Sequence, residues 1–104
     1  MMIMNGINIY PAEIEQVLNA HPDVRDAAAM PVHHPVHQDV PLCAVALNPG
    51  ARTSEVDLLE WARVRLGPRG PRRVLVLDSI PRNHDGKLVR AELREQIVRR
   101  LTRP

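Results

Sequence analysis

Only two of the 104 residues are large aromatics, Tyr10 and Trp61, and there is no phenylalanine. This shortage constrains the fold more than any other feature of the chain. The core has to be built from Val, Leu, Ile and Ala, which can make a stable interior but supply few large anchors. The shortage also excludes a class of function, because single-strand nucleic-acid binders stack bases on a platform of aromatic rings. The length suits one domain, residues 1–104, with a modest core. A hydrophobic fraction of 44% and a charged fraction of 25% place the chain among ordinary soluble domains. No apolar run approaches the roughly 20 residues that cross a bilayer, so no membrane span is expected. The opening "MMIM" is too short for a signal peptide and lacks its basic flank. Cys43 is the only cysteine, so no internal disulfide can form and the expected location is cytoplasmic.

Turn formers separate short aliphatic runs and so set the order of elements. "NGINIYPAEIEQVLNAHPDV" opens with Asn5-Gly6 between two apolar runs, which predicts a small β-hairpin. Pro11 suits the first position of a helix. Ile14, Val17 and Leu18 then form a core-facing stripe, and His21-Pro22 ends the helix. "VRDAAAMPV" and "PLCAVALNPG" read as two strands joined by "HHPVHQD", with Asn48-Pro49-Gly50 as a turn. A second helix begins at Thr53 or Ser54, with Ser54 and Asp57 at capping-box spacing. Val56, Leu59, Ala62 and Leu66 mark its expected buried face, and "GPRGP" stops it. "RRVLVLDSI" is a third strand, apolar enough to be expected at the centre of a sheet. From about Val89 a last helix runs to the C-terminus, with Leu93, Ile97 and Leu101 one turn apart. The predicted fold is α+β: an N-terminal β-hairpin, a three-stranded sheet and three flanking helices.

The net charge of +2 hides an asymmetry. Residues 1–60 hold two basic and eight acidic side chains, whereas residues 61–104 hold eleven arginines and Lys87 against four acidic residues. The second half is therefore the part that would attract an anion, although a solvated arginine-rich surface explains the same numbers. His33, His34 and His37, with Asp39 and Cys43 nearby, do not match a zinc spacing, so no metal site is assigned. Glu13 and Glu15 are two apart on a helix and do not share a face, which rules out a paired acid and base. Their charge suits the first helical turn. Cys43 lies in an apolar run, where a buried, inert thiol is the normal expectation. No phosphate loop, dinucleotide fingerprint or nucleophile elbow is present.

Two stretches carry the functional argument. "NGINIYPAEIEQVLNAHPDVRDAA" and "SIPRNHDGKLVRAELR" resemble, in order and in spacing, the C-terminal domain of the ANL adenylate-forming superfamily, which includes acyl- and aryl-CoA synthetases. The first looks like G-x-x-I-x-P-x-E-I-E, and the second like P-[RK]-[TN]-x-x-G-K-[LIV]-x-R-x-x-L. The likeness extends over nearly the whole chain. It implies a lid domain that serves a larger N-terminal adenylation domain, on the same or a separate chain. The reaction implied has two steps: a carboxylic acid and ATP give an acyl-adenylate, then the thiol of CoA or of a carrier-protein pantetheine takes the acyl group.

Carried over by position, Lys87 matches the lysine that reaches the carboxylate and α-phosphate during adenylation. Gly6 matches the glycine of the loop that lines the thiol channel after the lid rotates, and Gly86 matches the turn glycine before the lysine. Asn83 and Gly86 supply the turn chemistry that would hold Lys87 out. ATP with Mg2+ and CoA are the cofactors expected of the complete enzyme, with none tightly bound to this domain, and the isolated domain is expected to be inactive. The chain lacks the phosphate loop and ribose-binding acid of the N-terminal domain. "PVHHPVHQDVP" and "GPRGP" also depart from the family pattern, so no CoA-contacting role is carried to them. A degenerate lid acting as a protein-interaction module is the alternative within this resemblance. A small basic nucleic-acid-binding domain is the alternative outside it, although no nucleic-acid partner is expected.

Overall fold

The aliphatic runs between residues 24 and 47 form one long antiparallel hairpin that organises the rest of the chain. A computed structural model describes residues 2–4, 7–34 and 38–102. Strands β1 (Met2–Met4) and β2 (Ile7–Ile9) are followed by helix α1 (Pro11–Asn19), β3 (Val24–His34) and β4 (Gln38–Leu47). Helix α2 (Glu55–Leu66), a 3-10 turn (Gly67–Arg69), β5 (Arg73–Val76) and α3 (Arg90–Thr102) complete the order. β1 and β2 pair antiparallel with Met4 opposite Ile7; the intervening Asn5 and Gly6 lie outside the described residues. The histidine-rich connection is shorter than the sequence suggests, because both flanking strands extend into it. His37 lies outside the described residues.

The main sheet has the order β3-β4-β5, with β3 antiparallel and β5 parallel to β4. A parallel neighbour needs a crossover, and α2 provides it. The expectation that "RRVLVLDSI" would be the central strand is corrected: β5 is an edge strand and β4 is the middle one. Its apolarity has another cause. Val74 faces the layer formed by α1 and α2, whereas Leu75 faces the layer holding α3, so both surfaces of this short strand are covered.

Period-two alternation divides the whole sheet in this way. Ala27, Ala29, Cys43 and Val45 pack with Ile14, Leu18, Leu58 and Ala62 on one side. Ala28, Met30, Leu42 and Ala44 pack with Leu93 and Ile97 on the other. Val24 joins the first group despite its even number, because the register shifts between Val24 and Asp26.

Two helical faces differ from the sequence expectation. On α2, Leu58 and Ala62 are fully buried, Leu59 and Leu66 are partly so, and Val56 is 75% exposed. The helix is rotated toward α1, where Trp61 Nε1 donates to the Val17 carbonyl at 3.0 Å and Arg65 stacks 3.2 Å over the Trp61 ring. On α3, Leu93 and Ile97 are fully buried but Leu101 is 37% exposed. Arg100 already reaches the outer edge of β5, so Leu101 lies beyond the cover of the sheet.

Side chains close the open edges of this sheet. The Val76 N–H donates to Glu55 Oε2 at 2.6 Å, and its carbonyl accepts from Arg100 Nη1 at 3.0 Å. Arg100 Nη2 also reaches Glu55 Oε2 at 2.8 Å, so α2 and α3 are joined across the edge from opposite faces. On the far edge, the Ala29 N–H donates to Glu15 Oε2 at 2.8 Å. Unpaired edge groups invite pairing with another chain, and these carboxylates occupy them. Local signals also act as read: Ser54 Oγ accepts from the Asp57 N–H at 3.0 Å, a cap worth about 1 kcal/mol. Gly50, at φ +82°, completes the turn in which the Ala51 N–H reaches the Asn48 carbonyl at 3.0 Å. Among the described residues, no helix is long and apolar enough to cross a membrane.

Candidate functional site

After β5 the chain doubles back before entering α3, and this reversal presents Lys87. Ile80 is buried against the α3 side of the sheet, and Leu88 packs beside it. Between them the Val89 N–H donates to the Pro81 carbonyl at 2.9 Å, and Arg82 forms an antiparallel bridge with Leu88. One step further out, the Asn83 N–H reaches the Lys87 carbonyl at 2.9 Å. The Gly86 N–H donates to the Asn83 carbonyl, also at 2.9 Å.

Asn83 holds the tip with its side chain as well. Its Oδ1 accepts from the Asp85 N–H at 2.9 Å and the Lys87 N–H at 3.1 Å. Asparagine suits this because its amide oxygen can satisfy backbone donors two to four residues on. Gly86 sits at φ +84°, where a side chain is strained although there is open space around it. Residues 82–87 are all exposed. Lys87 makes no ion pair among the described residues, so its charge is available to an anion from outside the domain. The arrangement is a cation on a flexible stem, mounted on a hydrogen-bonded backbone. It can stabilise negative charge; beside it His84 Nε2 lies 3.9 Å from Asp85 Oδ1, both side chains open to solvent.

A third group, which the sequence did not single out, sits at the base of this turn. Arg82 Nε and Nη2 donate to the Asp26 carboxylate at 2.8 and 2.9 Å, and Nη1 donates to the Gly86 carbonyl at 3.1 Å. Arg82 occupies the [RK] position of the second motif, but nothing in the sequence pairs it with an aspartate 56 residues earlier. Gly6, assigned from the first motif, lies outside the described residues.

The remaining candidates carry less chemistry. Cys43 is fully buried, and burial, followed by the charge of Glu15, pushes its thiol well above the usual range. It should resist thiol reagents in the folded protein and label fully once unfolded in guanidinium chloride; prompt native labelling would contradict its placement. Among the described residues, no group of three or more His, Cys, Asp or Glu converges as metal ligands do. Several arginines of the basic half are committed internally: Arg65 to Trp61, Arg82 to Asp26, Arg99 to Glu95 and Arg100 to Glu55. A groove of about 590 Å³ between the end of β5 and α3 is not lined by Lys87. Asp78 lines it and Arg100 is already paired, so it offers an anion little.

Comparison with known proteins places these elements in a wider group. The sequence model of the AMP-binding enzyme C-terminal domain family matches residues 13–87, ending on Lys87. The chain is 40% identical over 98 residues to 2-succinylbenzoate–CoA ligase of Geobacillus kaustophilus, covering 93% of this chain and 20% of that protein. It is 36% identical over 97 residues to feruloyl-CoA synthase of an Amycolatopsis species, covering 92% and 20% respectively. The structure of ATP-bound MatB from Rhodopseudomonas palustris superposes with a TM-score of 0.82 at 31% identity, covering 91% of this chain and 19% of that one. The chain thus spans about a fifth of the length of the curated relatives it matches.

Proposed function

Because this chain belongs to the family of AMP-binding enzyme C-terminal domains, we propose that it is the lid of an ATP-dependent acid–thiol ligase and that Lys87 is the cation the lid delivers. The partner is an N-terminal adenylation domain that holds ATP, as its Mg2+ complex, and the carboxylic acid. In the first step a carboxylate oxygen attacks the α-phosphorus and pyrophosphate leaves. In the second, the thiol of CoA or of a pantetheine carrier attacks the acyl carbon and AMP leaves. The relatives' names, 2-succinylbenzoate–CoA ligase and feruloyl-CoA synthase, fit an organic acid as substrate and CoA as acceptor.

One observation carries this reading: Lys87 is exposed and unpaired among the described residues, yet its backbone is fixed by Asn83. The first step brings a carboxylate against a triphosphate, and their repulsion opposes the approach. A cation delivered on closure relieves that repulsion where charge concentrates, which lowers the barrier rather than merely tightening binding. Lysine suits the task as a compact point charge on a long stem. Opening the lid afterwards withdraws the charge and admits the thiol, with the Gly6 loop lining its channel.

The test joins this chain to the N-terminal four-fifths of the Geobacillus ligase in place of that enzyme's own last fifth. The chimera should form acyl-CoA from acid, ATP and CoA, whereas the truncated enzyme and this chain alone should not. A folded chimera no more active than the truncated enzyme would overturn the proposal.

A further inference from the structure

We propose that Arg82 is a positioning residue for Lys87, a strut that fixes the Lys87 turn to β3 through Asp26. The inference rests on the lid reading above and adds two residues that do not touch the reacting atoms. The Arg82 fork meets both oxygens of Asp26 at 2.8 and 2.9 Å. Its third arm holds the Gly86 carbonyl at 3.1 Å, on the peptide that leads directly into Lys87. Both side chains are about a third open to solvent, 34% and 30%, and a two-pronged guanidinium–carboxylate pair fixes direction as well as distance.

The turn needs such a tie. Ile80 and Leu88 anchor its base in the core, but residues 82–87 are exposed and gain little restraint from packing. The Asn83 bonds make the tip rigid within itself without joining it to the sheet. A Cβ at Gly86 would meet nothing within 4 Å, so no neighbour buttresses the tip at that point. Its angle to the sheet therefore depends on Arg82 and Asp26. Because the domain closes as a body, an error in that angle becomes a displacement of the lysine ammonium. A misplacement of about 1 Å can cost on the order of 10²-fold in rate.

The test uses the chimera described above and follows its two half-reactions separately. Arg82→Ala should lower the kcat of carboxylate-dependent ATP–pyrophosphate exchange about 10- to 100-fold, with little change in KM for ATP. Thioester formation from preformed acyl-adenylate should proceed at the wild-type rate, because Lys87 is not used there. Arg82→Lys should recover only part of the loss, since an ammonium cannot hold three acceptors in one plane. Asp26→Ala should cost a similar amount, and the double variant should be no worse than either single one, the mark of a shared interaction. All assays are run below the lowest melting midpoint, and the isosteric Asp26→Asn, with an intermediate loss expected, replaces any variant that does not fold.

Wild-type exchange in folded Arg82→Ala overturns the proposal, as does an equal fall in both half-reactions. Lys87→Ala assayed alongside separates the two levels. If it leaves exchange intact, the lid reading fails; if it removes exchange while Arg82→Ala does not, only the strut fails.

Discussion

Replacing Lys87 with alanine is expected to lower carboxylate-dependent ATP–pyrophosphate exchange in the chimera by about 10²–10³-fold, equivalent to about 3–4 kcal/mol of lost transition-state stabilisation. The loss should fall mainly on kcat. In the proposed mechanism the charge acts when the carboxylate and the α-phosphate meet, and ground-state binding of ATP is left to the larger domain. Stability should be unaffected, because the Lys87 side chain is exposed and unpaired among the described residues. Its backbone bonds to Asn83 survive truncation of the side chain. Lys87→Arg keeps the charge but replaces a compact ammonium with a wider planar fork, so it should recover only part of the rate. Full exchange in Lys87→Ala would reduce this residue to a solvated turn lysine.

The second large effect is on folding. Leu93→Ala removes the first fully buried anchor of α3, in the cluster shared with Ala28, Met30, Leu75 and Ile97. Truncating a fully buried leucine costs about 2–5 kcal/mol. For a domain of this size, that lowers the melting midpoint on the order of 10 °C or more. The cost is high here because few large residues share the load: the aromatic count is two, and alanines line much of the sheet. Leu93 also connects to the site, since its N–H donates to the Val89 carbonyl at 3.1 Å, immediately after the Lys87 turn. Leu101→Ala, on the same helix but partly exposed, should cost much less. Calorimetry on the three proteins checks the ranking, and equal midpoints for Leu93→Ala and Leu101→Ala would contradict the packing.

Much of this was legible in the chain because it is written in local chemistry. Pro11, Ser54 and the Asn48-Pro49-Gly50 turn act within a few residues of themselves, and the elements start and stop near them. The turn carrying Lys87 is local too, spanning Asn83 to Gly86. What remained hidden depends on contacts distant in sequence. The "VLVL" run looks central in any sheet, and only the positions of α2 and α3 show that β5 is an edge covered on both faces. The α2 stripe through Val56 and the one through Leu58 overlap in period, and the Trp61–Val17 contact decides between them. Glu15 reads as an ordinary first-turn charge until the sheet places Ala29 beside it, and nothing local ties Glu55 to Val76. The Asp26–Arg82 pair joins residues 56 positions apart, with no local signal at either end.

The most direct test of the whole account is a single-turnover comparison of wild-type and Lys87→Ala chimeras supplied with preformed acyl-adenylate and CoA. A lid that uses Lys87 for adenylation and a different face for thiol transfer predicts the same rate of acyl-CoA formation from both, although exchange from ATP is nearly abolished in the variant. A parallel loss in both half-reactions would contradict it, because Lys87 would then be supporting the domain as a whole and not the one step assigned to it.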